Sequence, residues 1–409
     1  MTLSRIGRVS MALVVSVAMG LGMTSCGGGT VGFMWVLGTQ YNQIGGFKID
    51  NFTGNLTGTV GSPYKSGGVN PVMLALKSGG RFLYVLNAGD STGTTGNFSL
   101  FSVGGDGTLS FQQSYTSIQG TFPVWITTDS TGNYLFVLSQ RAPDYDGVTD
   151  FNGSITAFAI DANTGRPSLI TNAQVKNAQG TQLTYFEVGK TPTQMRNSAS
   201  CIYTLDSGDQ SIFPYALGSA NGQLTQPTNS TIALNTANAT SVNIGGSYVY
   251  VTDAGSTTGG AGSILPYTQG SSCALSPVTG GTTANLPTAS YPIQTINTAD
   301  GKYVYVLNHS TASTSYANSS ISGFTIQSNG QLQQIASDTN NPYTVGSGPV
   351  CLAIDPTNQY LYTSNQISNT VTGKRLSSQY GFLSDLTRGS SFPTVGAPSC
   401  LVISGNTGY

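Results

Sequence analysis

The chain has 409 residues, of which 38% are hydrophobic, and its formal net charge at pH 7 is -1. Charged residues make up only 8% of the chain, whereas ordinary soluble domains carry about 25%. The apolar content is too high for a disordered chain, and the nearly neutral balance argues against a nucleic-acid-binding function.

Residues 1–25 have the composition of a secretory signal, with a positively charged start followed by an apolar segment. The signal ends in Met23-Thr24-Ser25-Cys26, which resembles the lipobox of bacterial lipoproteins, where the cysteine becomes the lipidated first residue. We therefore expect lipidation at Cys26, a short Gly-rich tether over 26–32 and a membrane-anchored protein of the bacterial cell envelope. The pattern favours the outer membrane over the inner one, on the periplasmic or cell-surface side. An ordinary secretory signal with a chance cysteine is the alternative.

After the tether, a short apolar run rich in tyrosine recurs at intervals of roughly 45 to 70 residues, which indicates an array of supersecondary units. The runs are 33–37, 82–86, 134–138, 202–205, 248–252, 303–307 and 360–363. In four units a proline stands 13 residues before the central aromatic: Pro71, Pro123, Pro292 and Pro349. Pro192 stands 11 residues before its aromatic, and Ala237 is expected to take the place of the proline in the fifth unit.

Each unit reads as four strands, which we call A to D in chain order. In the unit that begins at Pro71 the predicted strands are 72–76, 81–86, 97–103 and 108–115. Runs rich in Val, Ile, Tyr and Phe, bounded by Gly, Asn and Asp, are typical of antiparallel hairpins. No segment after the signal carries the apolar stripe and caps of a helix. The sequence therefore predicts an all-β protein.

The last proline shows how the array closes. Pro398 begins a strand A at 398–403 with almost no chain after it. Its strands B, C and D are found at the other end of the sequence, at 33–37, 44–49 and 56–60. A blade shared by both ends leaves no free sheet edge. We therefore predict one domain over 33–409, a seven-bladed β-propeller of four-stranded blades.

Four cysteines remain after Cys26, and an exported protein can pair them. Cys351 and Cys400 occupy equivalent places in strands A of adjacent blades, so we predict a disulfide between them. A pairing of Cys201 with Cys273 is the weaker expectation, and free buried thiols are the alternative for both pairs.

The repeats also resemble a known family. Segments 300–308, 355–362 and 321–326 are similar to the repeats of the seven-bladed lactonase-like propellers, which include 6-phosphogluconolactonase and carboxymuconate lactonizing enzymes and are close to the YVTN-repeat surface proteins. The enzymes of this family are associated with a cluster of His, Arg and Glu at the mouth of the central channel. This chain has one histidine, His309, and one glutamate, Glu187, in a predicted strand D. The cluster is not recovered residue by residue, which leaves His309 and Arg196 as weak catalytic candidates.

Candidate ligand-binding residues lie on the face where strands B end and the B-to-C loops are longest. They are Arg141, Gln194, Arg196, Asp206, Asp253, Asn308, His309 and Asn365. Six of them have a plainer alternative: Asn and Asp at strand ends bond their own loops, Arg196 pairs with an aspartate, and His309 is a surface residue. A lone channel arginine would favour a carboxylate or another anion.

Asp144, Asp146 and Asp150 follow one another closely beside Gly147, an arrangement that oxygen-ligating Ca²⁺ loops share. The loop lacks the terminal Glu of an EF-hand, and a solvated acidic loop is the alternative. We expect no other cofactor.

Two functions follow from the sequence. The first is an envelope-anchored scaffold that binds a small polar or anionic ligand, a glycan or a protein partner through its loop face. The alternative is a lactone hydrolase similar to 6-phosphogluconolactonase, acting on a sugar or carboxylic acid lactone, and this alternative rests on the family resemblance.

Overall fold

The computed structural model describes residues 29–227, 231–234, 236, 238–255, 262–281, 286, 290–310, 319–335 and 337–405. The predicted signal 1–25, Cys26 and the first part of the tether lie outside these residues. Seven antiparallel sheets follow one another in chain order, so the predicted all-β, seven-bladed propeller is confirmed. Across the described ranges, no helix has the length and apolar character needed to cross a membrane.

Every blade has the order A-B-C-D from the central channel outward, and we number the blade shared by the two ends blade 1. Strands A of blades 1 to 7 are Pro398–Gly405, Pro71–Leu76, Thr121–Thr128, Pro192–Asn197, Ala239–Gly245, Ser290–Asn297 and Pro349–Ile354. Strands B are Thr30–Gly38, Phe82–Asn87, Tyr134–Arg141, Cys201–Asp206, Tyr248–Asp253, Tyr303–Ser310 and Tyr360–Asn365.

Strands C and D complete the blades in the same order. Strands C are Gln43–Asp50, Asn97–Val103, Asn152–Ile160, Ser211–Leu217, Ser263–Gln269, Ser320–Ile326 and Thr370–Leu376. Strands D are Leu56–Gly58, Leu109–Tyr115, Pro167–Leu169, Leu224–Thr225, Leu275–Pro277, Leu332–Gln334 and Leu383–Asp385. In five blades a second piece of chain pairs with strand C: Tyr64–Lys65, Phe186–Lys190, Ile232–Ala233, Tyr343–Thr344 and Ser391–Pro393.

The proline register holds, with one correction. Pro71 lies opposite Asn87, and Pro192 lies opposite Asp206 at the same place in its blade. In blade 5 the residue opposite Asp253 is Ala239, so the prediction of Ala237 at this place is wrong. The reason is that blades 4 and 5 both have short A-to-B turns, at 198–200 and 246–247.

Neighbouring blades are joined by a recurring contact between an aromatic ring and a glycine. An aromatic residue near the start of strand B, two residues before the central aromatic, packs against a glycine with positive φ in the C-to-D turn of the next blade. The pairs are Phe33 on Gly107, Phe82 on Gly165, Tyr134 on Gly222, Tyr248 on Gly330, Tyr303 on Gly381 and Tyr360 on Gly54. A Cβ at any of these glycines would lie 2.2 to 2.6 Å from the ring. Glycine is therefore required for both its backbone conformation and its lack of a side chain.

A hydrogen bond completes this contact in most of the interfaces. Two residues further along strand B, the central aromatic donates to the carbonyl of the same glycine. The bonds run from Trp35 to Gly107 at 3.1 Å, Tyr84 to Gly165 at 2.6 Å, Tyr250 to Gly330 at 3.3 Å, Tyr305 to Gly381 at 2.7 Å and Tyr362 to Gly54 at 2.6 Å. The recurring tyrosine motif thus connects each blade to the next, and we call this pair of contacts the blade lock.

The interface between blades 4 and 5 replaces the ring and the glycine with a disulfide. Cys201 opens strand B of blade 4, where the other blades have the aromatic, and Cys273 occupies the glycine position with a φ of 66°. The two cysteines are bonded, with their Cα atoms 5.6 Å apart. Cys351 and Cys400 are also bonded across strands A of blades 7 and 1. Both predicted pairings are therefore confirmed.

Replacing the Cys201–Cys273 disulfide with the ring and glycine of a blade lock tests whether the two stabilise a blade interface in the same way. Replacing both Cys201 and Cys273 with serine should lower the free energy of unfolding by about 2–5 kcal/mol. The pair Cys201→Tyr with Cys273→Gly should recover at least half of this loss, because it rebuilds the ring-on-glycine contact of the other six interfaces. Urea unfolding of the three proteins measures the effect. An exchanged protein no more stable than the double serine variant would contradict the equivalence.

Candidate functional site

The channel is lined by two layers of side chains from strands A. The upper layer, nearer the face where strands B end, contains Met73, Trp125, Gln194, Ser241, Gln294, Cys351 and Cys400. Arg196 and Asn243 belong to the lower layer. A cavity of about 240 Å³ lies among Met73, Trp125, Gln294, Cys351, Cys400 and these two lower-layer residues. Arg196 therefore lies one layer deeper in the channel than Gln194, Gln294, Trp125 and Met73.

The channel glutamines hold neighbouring blades together. The amide of Gln294 donates to the Leu352 carbonyl at 3.3 Å and accepts from the Leu352 N–H at 2.7 Å. The amide of Gln194 likewise bonds the backbone of blade 5: it donates to the Thr240 carbonyl and accepts from the Val242 N–H. Asn243 donates to Asn297 at 3.1 Å. Gln194, named above as a ligand-binding candidate, already has its hydrogen-bonding groups engaged by backbone.

Arg196 is different, because its guanidinium has donors to spare. The guanidinium carbon lies 4.2 Å from the centre of the Trp125 ring, a cation–π geometry. Within the described ranges, its one side-chain hydrogen bond goes to the Met195 carbonyl at 3.4 Å. The salt bridges among the described residues join Lys302 to Asp300 and Lys374 to Asp385, so no carboxylate there pairs with Arg196.

Burial lowers the pKa of Arg196 to about 10, so the side chain remains cationic at neutral pH. A cation taken out of water without a paired anion is energetically costly. Its free donors suit the two oxygens of a carboxylate. The channel therefore offers one fixed, positively charged binding point beside an aromatic face.

The Asn and Asp side chains at the ends of strands B of blades 2, 5, 6 and 7 form hydrogen bonds within their own blades. The Asn87 amide donates to Asn97 at 2.8 Å, Asn308 to Ser322 at 2.9 Å and Asn365 to Thr372 at 2.9 Å. In blade 5, Asp253 accepts from the N–H groups of Asn238 and Gly255. None of these four side chains lines the channel cavity. They bond their own loops, as the plainer alternative expects.

Asp206 occupies the same place in blade 4, and it is buried. It accepts a hydrogen bond from Thr204 at 3.0 Å, whereas its other oxygen, Oδ1, has no partner in the described structure. Burial raises the pKa of Asp206 well above its ordinary value. Three other blades have asparagine at this place, so a buried aspartate with an unpaired oxygen is a local strain on the fold.

His309 and Arg141 lie on the loop face. His309 stands opposite Tyr291 near the end of strand B of blade 6, and it is partly exposed. Arg141 ends strand B of blade 3 with its guanidinium carbon 4.3 Å from the Phe122 ring centre and 4.8 Å from that of Tyr145. The sequence analysis did not identify Phe122 or Tyr145. The signal that could have found Phe122 is an aromatic directly before the proline of strand A.

The loop that contains Asp144, Asp146 and Asp150 is held by hydrogen bonds among its own residues. Both oxygens of Asp146 accept bonds from the loop: Oδ1 from the N–H groups of Val148, Thr149 and Asp150, and Oδ2 from the Thr149 hydroxyl. These hydrogen bonds hold the pKa of Asp146 below its ordinary value. No group of three or more His, Cys, Asp or Glu side chains is arranged to hold a metal ion in the described part of the chain. This geometry favours the solvated acidic loop over the Ca²⁺ site.

Comparisons with known proteins agree with the fold. Residues 282–403 match the family model described as Lactonase, 7-bladed beta-propeller. A periplasmic gluconolactonase of Pseudomonas aeruginosa has the same fold, with a TM-score of 0.67 and 17% identity over 91% of this chain and 98% of its own. A Bacteroides fragilis protein provisionally described as a 6-phosphogluconolactonase gives a TM-score of 0.67 and 18% identity, over 91% and 98%. No curated protein matches the sequence. The resemblance to the lactonase-like propellers is confirmed.

The strain at Asp206 predicts a pH-dependent stability. The unfolded carboxyl ionises near its ordinary pKa of about 3.9, whereas the folded one holds its proton to higher pH. The protein therefore loses stability as pH rises from about 4 through the raised pKa.

Asp206→Asn removes this loss. The variant should gain about 1–3 kcal/mol at pH 8 and little or nothing at pH 4, as measured by denaturant unfolding at both values. Asn308→Asp should show the opposite trend. A constant difference between Asp206→Asn and the parent protein at both pH values would contradict this account.

Proposed function

We propose that the protein is a lactone hydrolase that acts on a sugar or carboxylic acid lactone over its central channel. The observation that carries the proposal is the unpaired Arg196 guanidinium held on the Trp125 ring in the channel cavity. The family match and the gluconolactonase neighbour support the same substrate class.

The chemistry of ring opening gives Arg196 a role. Water adds to the lactone carbonyl, the ring oxygen leaves as a hydroxyl, and the product is a carboxylate. Negative charge develops on the carbonyl oxygen during addition and stays on the carboxylate afterwards. A preorganised guanidinium stabilises both species. Trp125 fixes the plane of the guanidinium, so its N–H donors are aimed before the substrate arrives.

Hydrolysis also needs a group that accepts a proton from the attacking water. His309 is the candidate from the sequence, because it lies on the loop face and imidazole titrates near neutral pH. The described residues that line the channel cavity include no Asp, Glu or His. That observation favours a second candidate function, in which the same site binds a sugar acid without turnover.

The charge of the site also bears on the substrate. One guanidinium in a cavity of about 240 Å³ balances a single negative charge. A phosphorylated lactone brings a further doubly charged group that would need cations of its own. We therefore propose an unphosphorylated lactone whose product is a monocarboxylate.

Variants at Arg196 test both candidate functions. Arg196→Met should weaken binding of gluconate about tenfold to a hundredfold, since it removes charge-assisted hydrogen bonds. It should also raise the free energy of unfolding, because an unpaired buried cation is replaced by an apolar side chain of similar length. Trp125 fluorescence in a Trp35→Phe background reports binding, and titration of released acid from gluconolactone reports turnover.

The control for Arg196→Met is Arg81→Ala, which removes an exposed arginine beside Phe82 on the opposite face. Turnover that depends on Arg196 and His309 supports the hydrolase. Gluconate binding without turnover supports the binding protein. A less stable Arg196→Met protein with unchanged gluconate binding would make Arg196 a structural residue and overturn both functions.

We also propose that Cys26 anchors the protein with the loop face directed away from the membrane. Gly38 pairs with Pro398 at the loop-face end of blade 1, and Gly32 pairs with Gly405 at the opposite end. The chain therefore enters the propeller at the face opposite the candidate site. Cys26→Ser should move the protein from the membrane fraction to the soluble fraction of cells. Membrane association that survives this substitution would contradict the anchor.

A further inference from the structure

An exposed stack of aromatic rings and cations stands on the loop face of blade 3, outside the channel. We call it the blade 3 ledge, and it consists of Phe122, Arg141, Tyr145, Phe151 and Lys190. The Arg141 guanidinium lies between the rings of Phe122 and Tyr145. The Tyr145 and Phe151 ring centres are 6.2 Å apart with an interplanar angle of 88°, and the Lys190 ammonium lies 5.3 Å from the centre of Phe151.

The loop that carries the ledge is held in one shape. Besides the four bonds to Asp146, the N–H of Ala142 donates to Asn152 and that of Gly147 donates to Asp150. Phe122 has a φ of 54°, a conformation that is strained for a bulky residue. These contacts hold the loop in one conformation, with Phe122 and Tyr145 half-buried and Arg141, Phe151 and Lys190 exposed, which reduces the entropy lost on binding.

The ledge has unused donors beside its ring surfaces. Arg141 makes ring contacts and no hydrogen bond among the described residues, and the side chain is exposed. Phe151 is 37% exposed. Acceptors are available in Asp144, in the same loop as Tyr145, and in Glu187, which accepts a hydrogen bond from Asn152. Apolar faces, donors and acceptors are thus presented together.

The charges decide which kind of ligand fits. The carboxylates of Asp144, Asp146, Asp150 and Glu187 outnumber the two cations of the ledge, so an anionic polymer would be repelled. An apolar partner would leave the guanidinium and carboxylates without hydrogen bonds. An uncharged pyranose chain avoids the charge repulsion and also supplies hydrogen-bonding groups. Its C–H faces pack on aromatic rings, and its hydroxyl pairs bond a guanidinium edge or a carboxylate.

We propose that the blade 3 ledge is a binding site for a neutral, pyranose-containing polysaccharide. The site is separate from the channel, and it does not depend on the protein being a hydrolase. It would hold the protein on a glycan while leaving the channel mouth open.

Affinity electrophoresis of the mature protein tests the proposal, in gels that contain laminarin, xylan or dextran as neutral polymers and alginate as an acidic one. At least one neutral polymer should retard the protein, and retardation should change less than about twofold between 50 and 500 mM NaCl because no net charge is neutralised. Arg141→Ala and Tyr145→Ala should each weaken binding about tenfold, the loss of one or two good hydrogen bonds or a ring contact.

The variant Arg141→Lys tests whether binding depends on the planar guanidinium of Arg141 or only on its positive charge. Lysine keeps the charge and loses the planar edge, so this variant should bind as weakly as Arg141→Ala. Arg81→Ala is the matched control and should bind like the parent protein, and gluconate binding in the channel should be unchanged in every variant. No retardation by any neutral polymer, binding only to alginate, or full binding by Arg141→Lys would overturn the proposal.

Discussion

The structure depends on the contact between an aromatic ring at the start of strand B and a positive-φ glycine in the next blade. Burial of one such ring is worth roughly 1.5–3 kcal/mol, and the hydrogen bond from the neighbouring tyrosine about 1 kcal/mol more. The contact needs a turn that no side chain can enter, so it fixes the C-to-D turn as tightly as it fixes the ring. Blades 4 and 5 meet the same constraint with the Cys201–Cys273 disulfide.

Most polar side chains near the centre of the propeller form hydrogen bonds that hold the blades and their loops together. Gln194 and Gln294 join strands A of neighbouring blades through their amides, and the asparagines at the ends of strands B support loops. Arg196 is the exception among the described channel side chains, because it is charged, half-buried and bonded to little besides a ring. The candidate function rests on that exception. The proposed polysaccharide site on the loop face likewise lies in a part of the chain that differs between blades, the long loop of blade 3.

The sequence predicted the features that repeat. The prolines, the tyrosine runs and the seventh strand A were sufficient for the blade count, the closing blade and the Cys351–Cys400 pair, because each depends on spacing along the chain. Ala239 was missed because a shorter turn shifts the register of blade 5, and spacing alone does not show turn length. The Arg141 stack was missed because Phe122, Arg141 and Tyr145 meet only after the strands pair. The ring of strand-end asparagines was visible in the sequence, but its burial depends on the glycine loops that cover it.

A crystal structure of the protein with gluconate tests the central claim most directly. The account predicts the gluconate carboxylate within hydrogen-bonding distance of the Arg196 guanidinium, with the guanidinium still stacked on Trp125 and the polyol chain directed toward the loop face. Gluconate bound elsewhere on the protein, with Arg196 unchanged and unoccupied, would contradict it.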